Sequence, residues 1–371
     1  MKSNVKKFIF GVCTLSGTII GVGLFSLPYI AVQSGTWLVI GYFIGLGALA
    51  IIMQLIFSDI ALKTPDFLRS PGFANFHLGK WGKRVSLASF VIGMFGVLLS
   101  YLILGGKFFS DLLSPYFGGS ELMYTLIYFA LGSIIIFFGI GMVSKIEFLG
   151  LVLFFGIMIV IFFRGLPCFE LSNVYFSADR GNLFLPYGPI LFSLWGVGLI
   201  PEIEEMLGKD KYLLKKIVPV AVIIPVIAYI SFIFIVVGVS GEETSVDAIE
   251  GLRRFLDNRI INLVLAFGLL TTFTSFIILG LTLKKTLWYD LKMNKNLSCA
   301  IACFVPLFLF LIGFSFLGVI SFVGAITIGI DGILILLMYQ KLKGRKAFKV
   351  TIPLMLIFML AIAYKVIYLF K

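Results

Sequence analysis

The sequence predicts an all-α protein that crosses a membrane many times. Of its 371 residues, 60% are hydrophobic and only 13% are charged, whereas soluble domains contain about 25% charged residues. Apolar segments of about 20 residues, long enough to span a bilayer as a helix, recur from one end of the chain to the other. Two of these segments are interrupted by glycine and proline. Together these observations predict a polytopic membrane protein that contains broken helices.

Eleven helices account for the apolar segments. They are predicted near residues 8–32 (broken), 37–62, 85–112, 122–141, 146–163, 185–207 (broken), 216–239, 260–283, 298–313, 317–339 and 349–369. The basic start of the chain followed by apolar residues superficially matches a signal peptide. Because no small-residue cleavage site follows, we expect a retained first helix. No stretch resembles a soluble domain or a linker, so residues 1–371 are predicted to form a single transmembrane domain.

The first helix is interrupted between Gly17 and Pro28. Three glycines, Gly17, Gly21 and Gly23, lie within seven residues, and Pro28 follows five residues later; these residue types disfavour a continuous helix. In hydrocarbon, such a break is tolerated only where protein or a water-filled cavity surrounds it. An unwound helix presents amide N–H groups on one half and carbonyls on the other, which suits a small zwitterion or a cation. A glycine-rich helix packed tightly on its neighbours is the alternative.

A second interrupted segment disfavours that alternative. Residues 185–207 contain Pro186, Pro189 and Pro201 around the sequence Trp-Gly-Val-Gly at 195–198. The two broken helices are the first and the sixth, so they would cross the membrane in opposite directions. This pattern predicts a 5+5 inverted repeat. The repeats would cover residues 8–163 and 185–339, with the helix at 349–369 as an accessory.

The distribution of basic residues predicts the orientation. Most of the 30 Lys and Arg residues fall in loops on the side of the N-terminus, which the positive-inside rule assigns to the cytoplasm. With eleven spans, the C-terminus lies outside. The acidic loop 240–259 is then extracytoplasmic. The basic loops are explained by topology and lipid headgroups, so the net charge of +12 requires no nucleic-acid partner.

Several classes of function are disfavoured. The chain has one histidine and no paired acids within one membrane helix, so the constellations that intramembrane enzymes need for a metal or a nucleophile are missing. A channel would need a continuous polar lining. The four cysteines predict no disulfide framework, and Cys299 and Cys303 are interpreted as packing residues rather than metal ligands. No catalytic or metal site is predicted.

The residues of the two breaks also carry a family resemblance. The sequence from Gly17 to Tyr29, GTIIGVGLFSLPY, resembles the first-helix motif of the amino acid/polyamine/organocation permease superfamily. It is most similar to the amino acid/auxin permeases and the bacterial aromatic amino acid permeases. Residues 192–202, FSLWGVGLIPE, are similar to the sixth helix of the amino acid/auxin branch. The resemblance covers nearly the whole chain in helix order and implies the 5+5, leucine-transporter-like fold.

The resemblance also implies a substrate site. Amides around Gly21, Val22 and Gly23 would bind a carboxylate, and carbonyls at both breaks would face an ammonium group or a cation. The predicted substrate-binding residues are Gly17, Thr18, Gly21, Val22, Gly23, Tyr101, Trp195, Gly196, Val197 and Gly198. Tyr101 is predicted because the third helix of such permeases often lies beside the substrate. Simple packing is the alternative for Tyr101 and Trp195, and Lys107 is expected to snorkel to the outer interface.

The coupling ion is left open between H⁺ and Na⁺, and no other cofactor is expected. Sodium-coupled relatives use hydroxyls of the eighth helix with carbonyls of the first, which implies Thr274 and Ser275 together with Gly17 and Ile20. Bonding of those hydroxyls to their own helix is the alternative. Asp331 is the one carboxylate deep inside a predicted span, and this position suits a proton carrier. A hydrogen bond to a neighbouring helix, or a partnership with Asp59 or Glu202, are the alternatives for Asp331.

The predicted function is secondary active transport of an amino acid, neutral or aromatic, across the cell membrane by alternating access. A ligand sensor on the same scaffold, such as the membrane subunit of a spore germinant receptor, is the alternative. A metal-ion transporter is disfavoured because its acidic-Pro-Gly-Asn motif is absent from the first helix. Monomeric protein in the bilayer is the working expectation. The particular amino acid, the flux direction and the oligomeric state do not follow from the sequence.

Overall fold

The computed structural model describes residues 2–65, 68–139, 143–174 and 182–369, and all regular secondary structure in these residues is helical. The helices of the first half are α1 (Lys2–Ile19), α2 (Leu27–Ser34), α3 (Thr36–Ala61), α4 (Ser70–Phe117), α5 (Glu121–Phe138) and α6 (Val143–Gly165). Those of the second half are α7 (Tyr187–Leu194), α8 (Ile200–Leu207), α9 (Leu214–Ser240), α10 (Ile249–Leu252), α11 (Asn258–Lys285), α12 (Lys295–Ile312), α13 (Phe316–Phe322), α14 (Ile328–Lys343) and α15 (Phe348–Leu369).

The first predicted break is present. Helix α1 ends at Ile19, a 3₁₀ turn follows at Val22–Ser26, and α2 continues after a bend of 47°. Pro28 lies in the first turn of α2, where its missing N–H costs no helical hydrogen bond. The chain therefore crosses this region as two short helices joined by irregular backbone.

The second predicted break is also present. Helix α7 ends at Leu194, Trp195 has extended backbone, and a 3₁₀ turn at Val197–Leu199 leads into α8. Pro201 lies in the first turn of α8. The two interrupted segments pack against each other in antiparallel fashion, since α1 contacts α8 while the 3₁₀ turn of the first break contacts α7.

Helix α4 is longer than predicted. The sequence predicts a helix at 85–112, but α4 begins at Ser70 and has non-helical backbone at Gly79, where φ is +79°. Hydropathy does not reveal the first part because Lys80, Lys83 and Arg84 interrupt the apolar pattern. The long helix packs against α5, α11 and α14 and so forms one wall beside the first break.

The helix predicted at 317–339 contains an irregularity that its apolarity does not signal. A π-helical turn at Val323–Thr327 separates α13 from α14. Here Gly324 lies against the backbone of Gly188 in α7, so close that a side chain on Gly324 would collide with it. Turns of this kind often occur at functional positions in helices.

The described residues contain seven helical stretches long and apolar enough to cross a membrane, or eight when α1 and α2 are counted as one bent span. Two of these stretches, Tyr187–Glu243 and Phe316–Ile367, are longer than 50 residues and contain several helices each. The protein is therefore a multi-pass membrane protein. The predicted total of eleven spans remains a prediction.

Candidate functional site

Tyr101 of α4 lies at the first break. The N–H of Val22 donates to the Tyr101 hydroxyl oxygen at 3.4 Å, and a side chain on Gly21 would collide with that hydroxyl. Tyr101 is 5% exposed, and residues 22–28 are all buried. The first amide of the 3₁₀ turn thus meets a phenol hydroxyl inside the protein.

The second break lies directly beside the first. A side chain on Gly23 would contact the Ser193 hydroxyl and the Phe192 ring, which belong to the end of α7. Likewise, a side chain on Gly196 would contact Leu15 and Ile19 of α1. Glycine at positions 23 and 196 is therefore what allows the two interrupted segments to approach.

Tyr229 of α9 joins the two breaks. Its hydroxyl lies 2.5 Å from the carbonyl oxygen of Ile19, the last residue of α1, and 3.1 Å from that of Ser193. Both carbonyls belong to helix ends that lack the usual intrahelical partners. The fully buried Tyr229 side chain thereby bridges the two breaks, with its one O–H proton shared between the two carbonyl oxygens.

Gln54 of α3 supports the second break in a similar way. Its amide nitrogen donates to the Leu194 carbonyl oxygen at 3.2 Å. Among the described residues, its own amide oxygen is buried without a hydrogen-bond partner. A buried acceptor of this kind is costly unless something binds it, so the second break carries an unused acceptor.

Sequence reasoning did not identify Tyr229 or Gln54. Each is a polar side chain inside an apolar span, and such a group must find a partner when it is buried in hydrocarbon. A polar residue inside an apolar span therefore predicts that a hydrogen-bond partner exists, but it does not identify that partner. The sequence separations, 210 residues for Tyr229 with Ile19 and 140 for Gln54 with Leu194, put the partners beyond local reasoning.

Of the other predicted residues of the first break, Gly17 and Thr18 lie in the last turn of α1 and Ile20 follows it directly. Gly17, Thr18 and Ile20 precede the unwound residues. The Thr18 hydroxyl donates to the Thr14 carbonyl at 3.0 Å, and the Ile20 N–H donates to the Ser16 carbonyl at 2.9 Å. These bonds keep the backbone helical up to the break.

The predicted residues of the second break, Trp195 to Gly198, face different neighbours. The Trp195 indole packs edge-to-face on Phe358 of α15, with ring centroids 6.3 Å apart. Val197 is buried, and Gly198 faces open space. In this conformation the Trp195 ring therefore packs between helices. Such packing was the alternative to a contact with the substrate.

Thr274 and Ser275 lie in the middle of α11. The Thr274 hydroxyl donates to the Thr271 carbonyl of its own helix at 3.1 Å. Bonding of this hydroxyl to its own helix was the alternative to a role as a sodium ligand. Ser275 is partly buried. The pairing of these hydroxyls with carbonyls of Gly17 and Ile20 stays a prediction.

Asp331 lies away from both breaks. Asp331 is partly buried at the interface of α14 with α4, on the side where Ser89 of α4 contacts Thr327. Twelve residues separate Ser89 from Tyr101, a distance of about 18 Å along α4. One carboxyl oxygen of Asp331 has no hydrogen-bond partner among the described residues. Asp59 pairs instead with Lys215 and Lys343, and Glu202 pairs with Arg69.

An ion-paired cluster, here named the distal tie, closes one end of the bundle. It consists of Lys107 on α4 with Asp247 and Glu250 on the loop between α9 and α11, at N–O distances of 2.5 and 3.2 Å. Lys107, which the sequence predicts to snorkel to the outer interface, pairs with the buried Asp247, and its position relative to the membrane surface stays a prediction. Lys107 lies six residues beyond Tyr101, or about 9 Å along α4.

The distal tie is stable over the ordinary pH range. Burial acts to raise the pKa of Asp247, but the Lys107 ammonium group outweighs that effect, and the pKa lies below its usual value. The Ser245 hydroxyl and the Glu250 N–H also donate to this carboxylate. Since the folded-state pKa is lowered, the stabilisation is present above the ordinary aspartate pKa and is lost only as pH falls through the lowered value.

A second set of ion pairs, the proximal tie, closes the end at which α1 begins and α8 ends. Lys7 of α1 contacts Asp210 at 2.6 Å and donates to the Leu207 carbonyl at 3.1 Å. Arg69, just before α4, contacts Glu202 and Glu205 of α8 at 2.8 Å each. The two breaks are thus enclosed between two sets of ion pairs.

Comparison with known proteins identifies a family, two relatives and two solved structures of similar fold. The model of the tryptophan/tyrosine permease family matches residues 4–370. Tyrosine-specific transport system 1 of Haemophilus influenzae is 24% identical over 321 residues, which are 81% of this chain and 79% of the relative. Glutamine transporter 2 of Aliivibrio fischeri is 24% identical over 326 residues, covering 85% and 84%.

Two solved transporter structures are similar in fold. MhsT in complex with L-phenylalanine has a TM-score of 0.66 at 14% identity, over 95% of this chain and 98% of MhsT. The nucleobase-cation-symport-1 transporter Mhp1 with bromovinylhydantoin bound has a TM-score of 0.65 at 15% identity, over 88% of this chain and 76% of Mhp1. At these identities the likeness shows the fold alone.

Proposed function

The chain belongs to the tryptophan/tyrosine permease family, and on that premise we propose that it is a secondary active permease for a neutral amino acid. The family and the relatives are transporters rather than enzymes, and the resemblance drawn from the first-helix motif is confirmed. The observation that carries the proposal is the pair of broken helices, which meet in antiparallel fashion and leave backbone groups for a ligand.

In the proposed binding mode, the substrate carboxylate accepts hydrogen bonds from the amides of Gly21, Val22 and Gly23. The bond between the Val22 N–H and Tyr101 is long at 3.4 Å, so a carboxylate would make a stronger, charge-assisted bond there. The Tyr101 hydroxyl then donates to the same carboxylate. On the opposite side, the unused oxygen of Gln54 is an acceptor for the substrate ammonium group.

A neutral side chain is the common feature of the substrates named for the two relatives, tyrosine and glutamine. The walls of the breaks agree with that class. Phe192, Leu15 and Ile19, which approach the glycines of the breaks, are apolar. We therefore propose large neutral amino acids, aromatic ones first, as substrates.

The proposed architecture has eleven spans in a 5+5 inverted repeat, with the N-terminus in the cytoplasm and the C-terminus outside. Support comes from helices in each predicted apolar segment and from the antiparallel contact of the broken pair. Helix α15 is then the accessory element. The distal tie lies on the extracytoplasmic side and the proximal tie on the cytoplasmic side, and a monomer is taken as the transporting unit.

Alternating access would require the two ties to open in turn. Each tie links one of the broken segments, or α4 beside them, to a neighbouring segment of the bundle. Opening the distal tie would free the loop that carries Asp247, and opening the proximal tie would free the start of α1. With both closed, the described conformation corresponds to an occluded state of this cycle.

We propose H⁺ rather than Na⁺ as the coupling ion, with Asp331 as its carrier. The Ile19, Ser193 and Leu194 carbonyls already have protein donors, and the Thr274 hydroxyl bonds to its own helix. The Ser89 hydroxyl donates to the Thr327 carbonyl at 2.9 Å, so its oxygen is free to accept a bond from a protonated Asp331.

Asp331→Asn is expected to abolish accumulation driven by an imposed pH gradient, because asparagine keeps the shape and polarity of the side chain but cannot carry a proton. Counterflow exchange at constant pH should be retained. Both are measured in proteoliposomes, with Asp257→Asn, a change in an exposed loop, as the matched control. Normal pH-driven accumulation by Asp331→Asn, or accumulation by wild type under a Na⁺ gradient alone, would contradict proton coupling through Asp331.

Counterflow in proteoliposomes against a panel of twenty labelled amino acids tests the proposed function. We expect exchange of aromatic and other large neutral amino acids and none of charged ones. A germinant-type sensor is the alternative class, and it would bind its ligand without exchanging or accumulating it. Binding without any counterflow would therefore favour the sensor and overturn the permease.

A further inference from the structure

The Tyr128 hydroxyl of α5 is a buried polar group that has no role in the proposed binding mode. The Tyr128 side chain is 1% exposed, and among the described residues its hydroxyl has no hydrogen-bond partner. Its polar neighbour on α11 is Thr272, whose own hydroxyl already donates to the Gly268 carbonyl at 2.7 Å. Because a buried phenol hydroxyl ordinarily has a partner, the Tyr128 hydroxyl is free to bind a ligand.

Three residues of α4 share the face that is turned to the first break. The Tyr101 hydroxyl accepts from the Val22 N–H at 3.4 Å. The Phe108 ring packs edge-to-face on Phe25 of the 3₁₀ turn, with ring centroids 4.9 Å apart. Gly105 lies between Tyr101 and Phe108 at helical spacings of four and three residues, which place all three on one stripe of the helix. Gly105 therefore faces the break but has no side chain with which to contact it.

The Tyr128 hydroxyl occupies the place that a side chain on Gly105 would take. A Cβ on Gly105 would collide with the end of the Tyr128 ring and would lie 2.6 Å from its hydroxyl oxygen. Gly105 is four residues from Tyr101, about 6 Å along α4. The phenol of α5 thus reaches the face of α4 that borders the break, one turn beyond the hydroxyl proposed to bind the substrate carboxylate.

Helix α11 gives the same position for Tyr128. A side chain on Gly268 would meet the rings of Phe108 and Phe25, so α11 comes close to the first break at this residue. Five residues later, about 7.5 Å along α11, Phe273 packs edge-to-face on Tyr128 with ring centroids 5.2 Å apart. Contacts on two different helices therefore place Tyr128 next to the first break.

We propose that the Tyr128 hydroxyl recognises a hydrogen-bonding group at the far end of the substrate side chain, such as the phenol of tyrosine. This inference rests on the proposed amino acid permease. With the carboxylate at Val22 and Tyr101, the substrate side chain extends along the face of α4 toward Gly105 and meets the Tyr128 hydroxyl there. A phenol can donate to the Tyr128 oxygen or accept its proton. The side chain of phenylalanine can do neither and leaves this hydroxyl without a partner.

Counterflow in proteoliposomes with labelled tyrosine, phenylalanine and 4-fluorophenylalanine tests the proposal. We expect wild type to exchange tyrosine with a half-saturation concentration about tenfold below that for phenylalanine, as one buried hydrogen bond provides. 4-Fluorophenylalanine has no O–H group at the end of its ring and should behave like phenylalanine. Tyr128→Phe should bring the ratio of the half-saturation concentrations for tyrosine and phenylalanine close to one.

Tyr124→Phe is the matched control for this ratio. Tyr124 lies one turn earlier on α5, and its hydroxyl donates to the Gly118 carbonyl at 2.6 Å, so the variant should keep the wild-type ratio. Thermal unfolding of Tyr128→Phe should match wild type, because the change removes only a hydroxyl without a protein partner.

Two results would overturn the role of Tyr128 while leaving the permease intact. The first is exchange of tyrosine and phenylalanine by wild type with equal half-saturation concentrations. The second is an unchanged ratio in Tyr128→Phe, which would mean that the substrate side chain does not reach this hydroxyl. Absence of exchange for every amino acid would instead overturn the proposed function, and the role of Tyr128 with it.

Discussion

Gly21→Leu is expected to reduce amino acid uptake to the level of empty liposomes while the protein still inserts and folds in the membrane. A side chain at this position collides with the Tyr101 hydroxyl and would fill the space that the proposed binding mode gives to the substrate carboxylate. Overpacking of this kind costs about 1–3 kcal/mol in stability, which a large helical bundle tolerates. The measurements are initial uptake rates in proteoliposomes and thermal unfolding of the same preparation.

Gly41→Leu is the matched control for that substitution. Gly41 lies in α3, is exposed and has open space around its Cα, so leucine there meets only lipid. It adds the same side chain to a membrane helix and should leave uptake at the wild-type level. Normal uptake by Gly21→Leu would mean that the substrate does not use the first break.

Tyr229→Phe has the second largest expected effect. The change removes only the hydroxyl that the carbonyls of Ile19 and Ser193 share. The Ile19 carbonyl keeps the Gly21 N–H as a donor at 2.9 Å, whereas the Ser193 carbonyl loses the Tyr229 hydroxyl. A buried acceptor that loses its donor costs about 1–3 kcal/mol. We expect the loss of this free energy to shift the backbone of the breaks and to lower uptake by about tenfold to a hundredfold. Uptake rates at matched protein amounts, together with substrate affinity from a binding assay, measure the effect.

Tyr124→Phe separates a loss of transport from a general loss of stability. Tyr124 is also buried, and its hydroxyl donates to a backbone carbonyl, that of Gly118, at 2.6 Å. This bond lies at the start of α5, away from the breaks. We expect Tyr124→Phe to lower the unfolding temperature as much as Tyr229→Phe does, with little change in uptake. Equal uptake by the two variants would contradict the claim that Tyr229 positions the backbone of the two breaks.

The broken helices were predictable because their cause is local. Gly21, Gly23 and Pro28 in the first segment, and Gly196 and Pro201 in the second, disfavour regular helix wherever the segments lie in space. Both breaks appear within a few residues of the predicted positions. The same residues carried the resemblance to the permeases, which the family match confirmed.

The surroundings of the breaks could not be predicted because their causes are distant in sequence. Tyr229 and Gln54 find their partners 210 and 140 residues away. Asp247, the ion-pair partner of Lys107, lies 140 residues later in the chain. The Trp195 ring packs on Phe358, a residue of α15. Hydropathy and propensity contain no information on such pairings.

The most direct test of the account is an experimental structure of the protein in lipid with a bound aromatic amino acid. The account predicts that the substrate carboxylate lies within hydrogen-bonding distance of the Val22 N–H and the Tyr101 hydroxyl. It predicts that the ammonium group faces the second break. An amino acid bound elsewhere, with the contact between Val22 and Tyr101 unchanged, would contradict the claim that the two interrupted helices hold the substrate.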